Sequence, residues 1–441
     1  MTFRISMLAV VAAATILSGC DFLGSKNDPT TNEIFREGAI DPTQFDDVGY
    51  VPLFPFFTQT MNGGFDAPND VFVGYDEFIY VTDRRGVHLL DLAGRAQNFI
   101  GQAAGQPIRD AGCVMQDRRF DLYVCARRDT LIAGRNWDLP VVYRFRGITT
   151  GGPAQVADII WHVFDDRSRQ FNVTYRDPRV FEGGISDEDA EFTGVGVLED
   201  NSVYITRRGR LNRRGSPPSG DGRPATVFPF NSILMFSREG VNTGRVEMGA
   251  DDHSVPTLRS SVYPSAIITY FAPPQRTGLL PRLDFFVAQA PPPNAPVATP
   301  RFSVLAINAV ITSDGLVYQQ DAARVGVSAD PSRGDGFLYE EFKFQNPTGL
   351  ARAGDGTGYL FVVDSGKDSL FVFNDAGVEG VAPPPGAQDR TRPRVVSFGG
   401  TGAGPMEFND PMGIAYLRRT LYVADRGNNR ISRYRLNTDF E

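Results

Sequence analysis

The chain is poor in the side chains that enzymes most often use for metal binding or nucleophilic catalysis. Its 441 residues include only three histidines and three cysteines. His88, His162 and His253 stand far apart in the sequence, at non-equivalent positions of the repeat units described below. They therefore do not predict the converging imidazoles of a catalytic zinc site. The sequence also lacks a Gly-x-Ser-x-Gly nucleophile motif and a phosphate-binding glycine loop before a helix. These absences favour a binding function over catalysis.

An excess of basic residues is also missing. Asp and Glu total 52 against 44 Lys and Arg, which gives a formal net charge of −8. Nucleic-acid surfaces need net basic faces to neutralise phosphates, so this balance argues against general nucleic-acid binding. No long amphipathic helical pattern stands out, whereas 46 glycines and 31 prolines supply many turns. The composition is typical of an all-β protein built from short strands.

The apolar run at the N-terminus, Ile5–Leu17, is too short to span a bilayer and has the length of a signal-peptide core. It leads into Leu-Ser-Gly-Cys ending at Cys20, which resembles the bacterial lipobox. The resemblance implies cleavage after residue 19 and a lipidated Cys20; the alternative is an ordinary signal peptide with a chance cysteine. Acyl chains on one cysteine hold a protein on a membrane without a spanning helix. The predicted location is therefore the bacterial cell envelope, facing the periplasm or the cell exterior.

The segment after Cys20 has a different composition from the rest of the chain. Residues 20–47 are polar and rich in turn-forming residues, with little hydrophobic periodicity. Such a segment predicts a flexible tether. Residues 48–441 are then the folded body, and residues 1–19 the signal peptide.

Three stretches of the body share one pattern: Phe65–Leu92, Asn346–Phe373 and Phe408–Tyr434. Each has a proline, a short apolar strand, a turn, an aromatic-rich strand ending in Asp, a second turn and a third strand. Self-similarity in a fixed order marks a repeat architecture. The stretches resemble the NHL repeat, most closely in Phe408–Tyr434. The resemblance implies four-stranded blades of a β-propeller, usually six.

Weaker copies bring the number of units to six. They are Gly112–Arg144, Phe192–Phe236 and Tyr263–Ile307. The hairpin Ala309–Gln320 is either the outer strand pair of the fourth unit or part of an extra blade, so seven blades is the alternative. The last unit ends near the C-terminus with only three strands. We therefore predict that Tyr50–Thr58 supplies its outer strand and closes the ring; the alternative is an apolar linker packed on the side of the propeller.

Two cysteines stand in the second unit. If its first two strands pair around the turn at Arg118–Phe120, Cys113 and Cys125 lie directly opposite each other. Facing strand positions allow a disulfide, and export from the cytoplasm favours oxidation. The alternative is two buried, reduced cysteines on a shared face.

Cations recur where the second strand of a unit leads into the third. In propellers of this kind those turns share a face with the central channel, so the repetition predicts a binding face for an anionic ligand or partner. The alternative is local salt bridging to neighbouring aspartates, although exposed pairs contribute little to stability. The insertion Arg207–Phe230 is basic and predicts a loop on that face. The predicted binding residues are Arg84, Arg85, Arg127, Arg128, Arg207, Arg208, Lys367 and Arg426.

The sequence predicts a non-enzymatic scaffold that binds a protein, peptide or glycan at this face, with no cofactor and no nucleic-acid partner. The alternative is a metal-dependent hydrolase or lyase at the channel mouth, like the lactonases and amidating lyases of related six-bladed folds. Oxygen ligands would come from Asn69, Asp70, Asn346 or Asp410, residues that equally suit a turn before a strand. No metal site or catalytic residue is assigned. Polar side chains converging in the channel would favour the enzyme, and an apolar or Arg-lined channel the scaffold.

Overall fold

The computed structural model describes residues 48–148, 154–163, 176–211, 230–248, 262–270, 282–291, 302–313, 315–321, 336–383 and 392–440. These residues belong to one compact unit, Phe45–Glu441. The predicted signal peptide, Cys20, the tether, His253 and most of the Arg207–Phe230 insertion lie outside the described residues. Within them, no helix has the length and apolarity needed to cross a membrane.

Six four-stranded antiparallel sheets form the fold. The first two blades are β4 Asp70–Val73, β5 Ile79–Asp83, β6 Gly86–Leu90, β7 Ala96–Ile100, and β10 Val114–Gln116, β11 Leu122–Ile132, β12 Arg135–Arg146, β13 Gln155–Trp161. The next two are β14 Glu191–Val197, β15 Val203–Arg208, β16 Ser232–Phe236, β17 Asn242–Glu247, and β18 Pro264–Thr269, β19 Phe285–Gln289, β20 Val304–Thr312, β21 Gly315–Gln320. The last two are β22 Pro347–Arg352, β23 Leu360–Asp364, β24 Ser369–Phe373, β25 Phe398–Gly399, and β26 Pro411–Leu417, β27 Thr420–Asp425, β28 Arg430–Leu436 with β1 Tyr50–Pro52.

Short elements complete the described fold. Two small hairpins are β2 Gln59–Thr60 with β3 Gly63–Gly64, and β8 Gln102–Ala103 with β9 Gln106–Pro107. The 3-10 helices are Glu182–Gly184, Asp187–Asp189, Arg426–Asn428 and Asn437–Asp439.

The first strands of the six blades contact one another in a ring, β4–β10–β14–β18–β22–β26 and back to β4. The second strands pack between neighbouring blades, and β5, β19 and β23 are buried along their whole length. Burial on both faces explains why these strands read as continuous apolar runs and not as alternating patterns. The fold is therefore a six-bladed β-propeller, as the repeat pattern predicted.

The ring closes through the N-terminal segment of the body. Strand β1 pairs antiparallel with β28, with Tyr50 opposite Leu436, and Phe57 forms a further bridge with Ile431. The predicted closing strand is thus confirmed. The hairpin that left seven blades open forms the outer strands β20 and β21 of the fourth blade.

The predicted disulfide is present. Val114 pairs with Val124 and Met115 with Tyr123, a register that places Cys113 opposite Cys125. Their Cα atoms are 4.9 Å apart and the sulfurs are bonded.

The second blade departs from the prediction in one respect. Strands β11 and β12 continue beyond the propeller body, and their turn lies at Ala133 and Gly134, both with positive φ. Arg127 and Arg128 therefore lie within β11 and not in a turn. A small apolar cluster of Trp137, Leu139 and Val163 packs on the extension, which explains why the hairpin is longer than in the other repeats.

Candidate functional site: the central channel

A cavity of about 940 Å³ runs along the propeller axis, lined by the first strands of all six blades. Its wall is mostly apolar and includes Val71, Val195, Ile267, Leu350 and Ile414. We call the end where the first strands begin the first mouth, and the end where they finish the second mouth. An apolar wall is suited to a ligand with an apolar body.

Small residues allow the first strands to approach closely around the channel. A Cβ atom added to Gly349 would lie 2.7 Å from Met412 O, and one added to Gly194 would lie 3.1 Å from Ile267 N. A side chain at Gly349 would collide with the next blade, and one at Gly194 would be in unusually tight contact with it. This close approach explains the glycine that follows the proline by two residues in the repeats.

Asp70 occupies this glycine position in the first blade. It faces Thr82 on the second strand, as Gly194 faces Thr206 and Gly349 faces Val363. The corresponding residues in the six blades are Asp70, Cys113, Gly194, Ala266, Gly349 and Gly413. One blade therefore carries a carboxyl group where the other five carry a small or apolar residue.

The Asp70 carboxyl group is held by two backbone amides. Its Oδ1 accepts a hydrogen bond from Val71 N at 2.9 Å, and its Oδ2 accepts one from Val114 N of the second blade at 2.9 Å. Burial raises the pKa of Asp70 from 3.8 to about 7, although both amide bonds oppose the rise. Desolvation thus raises the pKa of this carboxyl group by more than the two neutral amide donors lower it.

Polar side chains next to this position connect the blades around the first mouth. Each donates to a backbone carbonyl at the start of the first strand of the following blade or just before it. The bonds are Asn69 Nδ2 to Ala111 O at 2.8 Å, Thr193 Oγ1 to Pro264 O at 2.8 Å, Ser265 Oγ to Pro347 O at 2.6 Å, and Thr348 Oγ1 to Pro411 O at 3.1 Å. Asn69, considered above as a metal ligand, thus takes part in contacts between blades.

Three of the predicted binding cations line the channel at the first mouth: Arg127, Arg208 and Arg426. Each has a carboxylate partner. The donors and acceptors are Arg127 Nε to Asp138 Oδ2 at 2.7 Å, Arg208 Nε to Glu191 Oε2 at 2.7 Å, and Arg426 Nε to Asp410 Oδ2 at 2.6 Å. Local pairing therefore accounts for these charges, including that of Asp410.

The other predicted cations do not line the channel. Arg84 is largely exposed, its side chain 67% accessible, and lies 3.8 Å from Asp66. The remaining contacts are Arg85 with Asp83 at 3.0 Å, Arg128 Nη1 with Ala103 O at 3.0 Å, Arg207 Nε with Phe230 O at 3.1 Å, and Lys367 Nζ with Lys343 O at 2.6 Å. Of the eight predicted binding cations, three therefore lie at the rim of the channel and five lie elsewhere.

The strand register places Arg207 differently from the other arginines. Arg207 follows Thr206 as Asp83 follows Thr82, so it stands where the repeat has its aspartate. Arg208, not Arg207, is then the counterpart of Arg84 and Arg127. The aspartates at this position bind the backbone before the first strand, as in Asp66 N to Asp83 Oδ2 at 3.0 Å. Arg207 is buried and donates instead to Phe230 O and Ser232 Oγ, at the start of the third strand.

The second mouth carries charges that the sequence reasoning missed. Arg118, Arg352 and Arg418 line it, together with Glu77 and Asp355. Arg418 pairs with Glu77, and Arg352 Nη2 donates to Asp375 Oδ1 at 3.0 Å. These arginines end the first strands or follow them closely, so comparing the first-to-second turns and their flanks as well as the second-to-third turns would have found them.

Metal ligation has little support among the described residues, where no group of three or more His, Cys, Asp and Glu side chains comes together. His88 and His162 are buried and bond Asp83 at 2.7 Å and Asp187 at 2.8 Å. Burial lowers the pKa of His162 to about 4, although its bond to Asp187 opposes the shift. Asn346, another candidate ligand, donates from Nδ2 to Ser365 Oγ at 2.6 Å.

Comparison with known proteins gives matches in structure. The sequence matches no protein-family model and no curated protein. An auxiliary nutrient binding protein from Bacteroides ovatus is 12% identical, with 88% of this chain and 77% of that chain covered and a TM-score of 0.47. A virginiamycin B lyase from Staphylococcus aureus is 12% identical, covering 88% and 99%, with a TM-score of 0.37. A gluconolactonase from Xanthomonas campestris is 14% identical, covering 89% and 90%, with a TM-score of 0.40. Values in this range carry no information on ligand or activity.

Proposed function

We propose that this protein is a lipid-anchored, NHL-type propeller of the cell envelope that acts as a binding scaffold, with its ligand in the central channel. The observation that supports the proposal is the chemistry of the channel. Its wall is mostly apolar along the six first strands, and its charged residues, Asp70 included, stand at the two mouths, where these strands begin or end. Such a cavity provides apolar contact area for a ligand body and polar groups at its ends.

The enzymatic alternative has less support. A metal-dependent hydrolase or lyase needs several oxygen or nitrogen ligands directed at one point. In the described residues, the polar side chains beside the first mouth bond the neighbouring blade, as Asn69 and Thr348 do. The arginines there are ion-paired.

A protein, peptide or glycan partner on the loop face is a further part of this proposal. Among the predicted cations, Arg84 is readily accessible: its side chain extends from the turn after β5 and is 67% exposed, and its Asp66 partner is itself 46% accessible. Attraction of an anionic partner by this residue would weaken as salt is added.

The channel assignment is tested with 1-octanol, a probe that has an apolar chain and no charge. We expect calorimetric titration to show one molecule bound per chain, because each buried CH2 group contributes about 0.8 kcal/mol. Replacing Met412, a half-buried channel residue, with the larger Met412→Trp should weaken binding by about tenfold or more. Met61→Trp is the matched control, since Met61 is 58% exposed. Undetectable octanol binding, or equal affinity in both variants, would contradict the proposal.

The lipid anchor is tested separately. We expect Cys20→Ser to stop lipidation and to release the protein from the membrane fraction or leave its precursor unprocessed, because the acyl chains provide the membrane affinity. Mass measurement of the mature N-terminus and fractionation report both effects. Unchanged processing and membrane attachment would show that Cys20 is not the anchor.

A further inference from the structure

The carboxyl group of Asp70 is not explained by the architecture of the repeat. Three blades form the same contact between first strands with glycine, at Gly194, Gly349 and Gly413, and the fourth with Ala266. A charged side chain at this position is therefore not needed to build a blade. Asp70 lines the channel, where solvent or a ligand can reach it.

The observed hydrogen bonds to Asp70 leave part of the acceptor capacity of its carboxylate unused. An ionised carboxylate offers about four acceptor sites, and two backbone amides account for two of them. Among the described residues, no arginine or lysine lies within salt-bridge distance of Asp70. Its raised pKa is consistent with this, since burial is the largest cause and no cation contributes.

The charged and titratable groups on the strands packed against β4 have partners of their own. On β5, Asp83 bonds Arg85 and His88, and on β27, Asp425 bonds Arg430. Tyrosines make up the remainder: Tyr80 on β5, Tyr416 on β26 and Tyr422 on β27, each with its pKa raised by burial. Strand β10 contributes no charged residue. The first-mouth arginines are engaged with Asp138, Glu191 and Asp410.

We propose that Asp70 selects the ligand of the central channel, which is a molecule with an apolar body and a primary ammonium or similar cationic donor group. The inference rests on the proposed channel function and specifies its ligand class. An ammonium group would supply the opposite charge and the N–H donors that the protein does not provide. The apolar wall would cover the remainder of the molecule. An anion of the same length would be disfavoured by like-charge repulsion in a site of low dielectric.

Binding of a cation must also change the protonation of Asp70. The free carboxyl group is about half protonated near neutral pH, because its pKa is about 7. A bound ammonium favours the carboxylate, so binding releases a proton. The preference for an amine over an alcohol should therefore increase as pH rises from about 5 to about 8.

The test compares octylamine, 1-octanol and octanoate by calorimetry on the full folded chain. We expect octylamine to bind about tenfold or more tightly than octanol near neutral pH, with release of roughly half a proton seen in buffers of different ionisation enthalpy. Asp70→Asn should bring the ratio of the amine and alcohol affinities close to one and abolish proton release. Asp66→Asn removes a carboxylate outside the channel and should preserve both effects. If Asp70→Asn does not fold, Asp70→Gly is used in its place, because three other blades have glycine at this position.

The outcomes separate this inference from the proposed function. Equal binding of octylamine and octanol, or tighter binding of octanoate, would overturn the role of Asp70 while the channel remains a binding site. An amine preference that persists in both Asp70 variants would also overturn it. Failure of all three probes to bind would overturn the proposed function together with this inference.

Discussion

At the scale of single residues, similar arginines have different surroundings. Arg84 is in an exposed turn, whereas the Arg207 residue is only 3% accessible. Arg207 Nε lies 3.1 Å from Phe230 O and 3.2 Å from Ser232 Oγ, and its Nη1 lies 3.4 Å from His162 Nδ1. The arginines near the ends of the second strands therefore include an exposed surface charge, Arg84, and a buried hydrogen-bond donor, Arg207. The sequence alone does not distinguish these two environments.

Charge reversal separates these roles. We expect Arg207→Glu to lower the free energy of unfolding by about 3 kcal/mol or more, because it buries a carboxylate and leaves carbonyl acceptors without their donor. Arg84→Glu should change it by less than about 0.5 kcal/mol, as is usual for exposed sites. Urea denaturation of both variants measures the difference. Equal losses would show that the burial of Arg207 has no energetic consequence.

The buried Asp70 carboxyl group also predicts a pH dependence of stability. Its pKa is raised from 3.8 to about 7 in the folded protein, so the folded state holds the proton more tightly than the unfolded chain. The contribution of Asp70 to stability must then fall as pH rises from about 4 to about 7 and level off above that range. We expect the stability of Asp70→Asn relative to the native protein to increase over this window. A difference that is constant with pH would contradict the burial of this carboxyl group.

At the scale of strands, two contacts recur in several of the blades. The aspartate ending the second strand accepts backbone amides from the turn before the first strand, such as Asn346 N to Asp364 Oδ1 at 2.9 Å and Asn409 N to Asp425 Oδ1 at 2.9 Å. The polar residue after the proline then donates to the next blade, as Ser265 does to Pro347 O. The first contact shapes a blade, and the second joins neighbouring blades.

Strand β1 has a distinct effect on stability because it completes the last blade from the other end of the chain. Tyr50 and Val51 are buried, at 6% and 5% accessible, and the strand covers the edge of β28. We expect a chain that starts at residue 59, and so lacks residues 48–58, to expose this edge. It should aggregate or lose its cooperative melt. A chain that starts at residue 48 and retains the strand is the control. A monomeric, cooperatively folded deletion variant would show that closure does not depend on β1.

Much of this architecture was predictable because the repeat places Pro, Gly and Asp where the backbone requires them. The pairing of Cys113 with Cys125 followed from strand register alone, and it is confirmed. The extension of β11 was not predictable, since the apolar cluster on it brings Val163, which follows β13, against Trp137 and Leu139 of β12. The environment of Asp70 was predictable only in part. The sequence placed Asp70 among the candidate oxygen ligands at the channel, but it does not show that this carboxyl group is buried with two backbone amides and no arginine or lysine partner.

At the scale of the whole molecule, six first strands build one cavity that no blade contains alone. Residues far apart in sequence meet there, as Val71, Val195 and Ile414 do. The fourth strands of the blades do not line this cavity. Function in this account therefore belongs to the ring as a whole, and disruption of ring closure would impair binding as well as folding.

Photoaffinity labelling locates the bound ligand and so shows whether the channel is the binding site. A diazirine-bearing octylamine is irradiated with the protein, and the labelled residues are located by mass spectrometry with and without excess octylamine. We expect the competed labels to fall on channel-lining residues of the first strands, including Val71, Ile267 and Leu350. Labels confined to the outer strands, or labels on the first strands that excess octylamine does not remove, would contradict it.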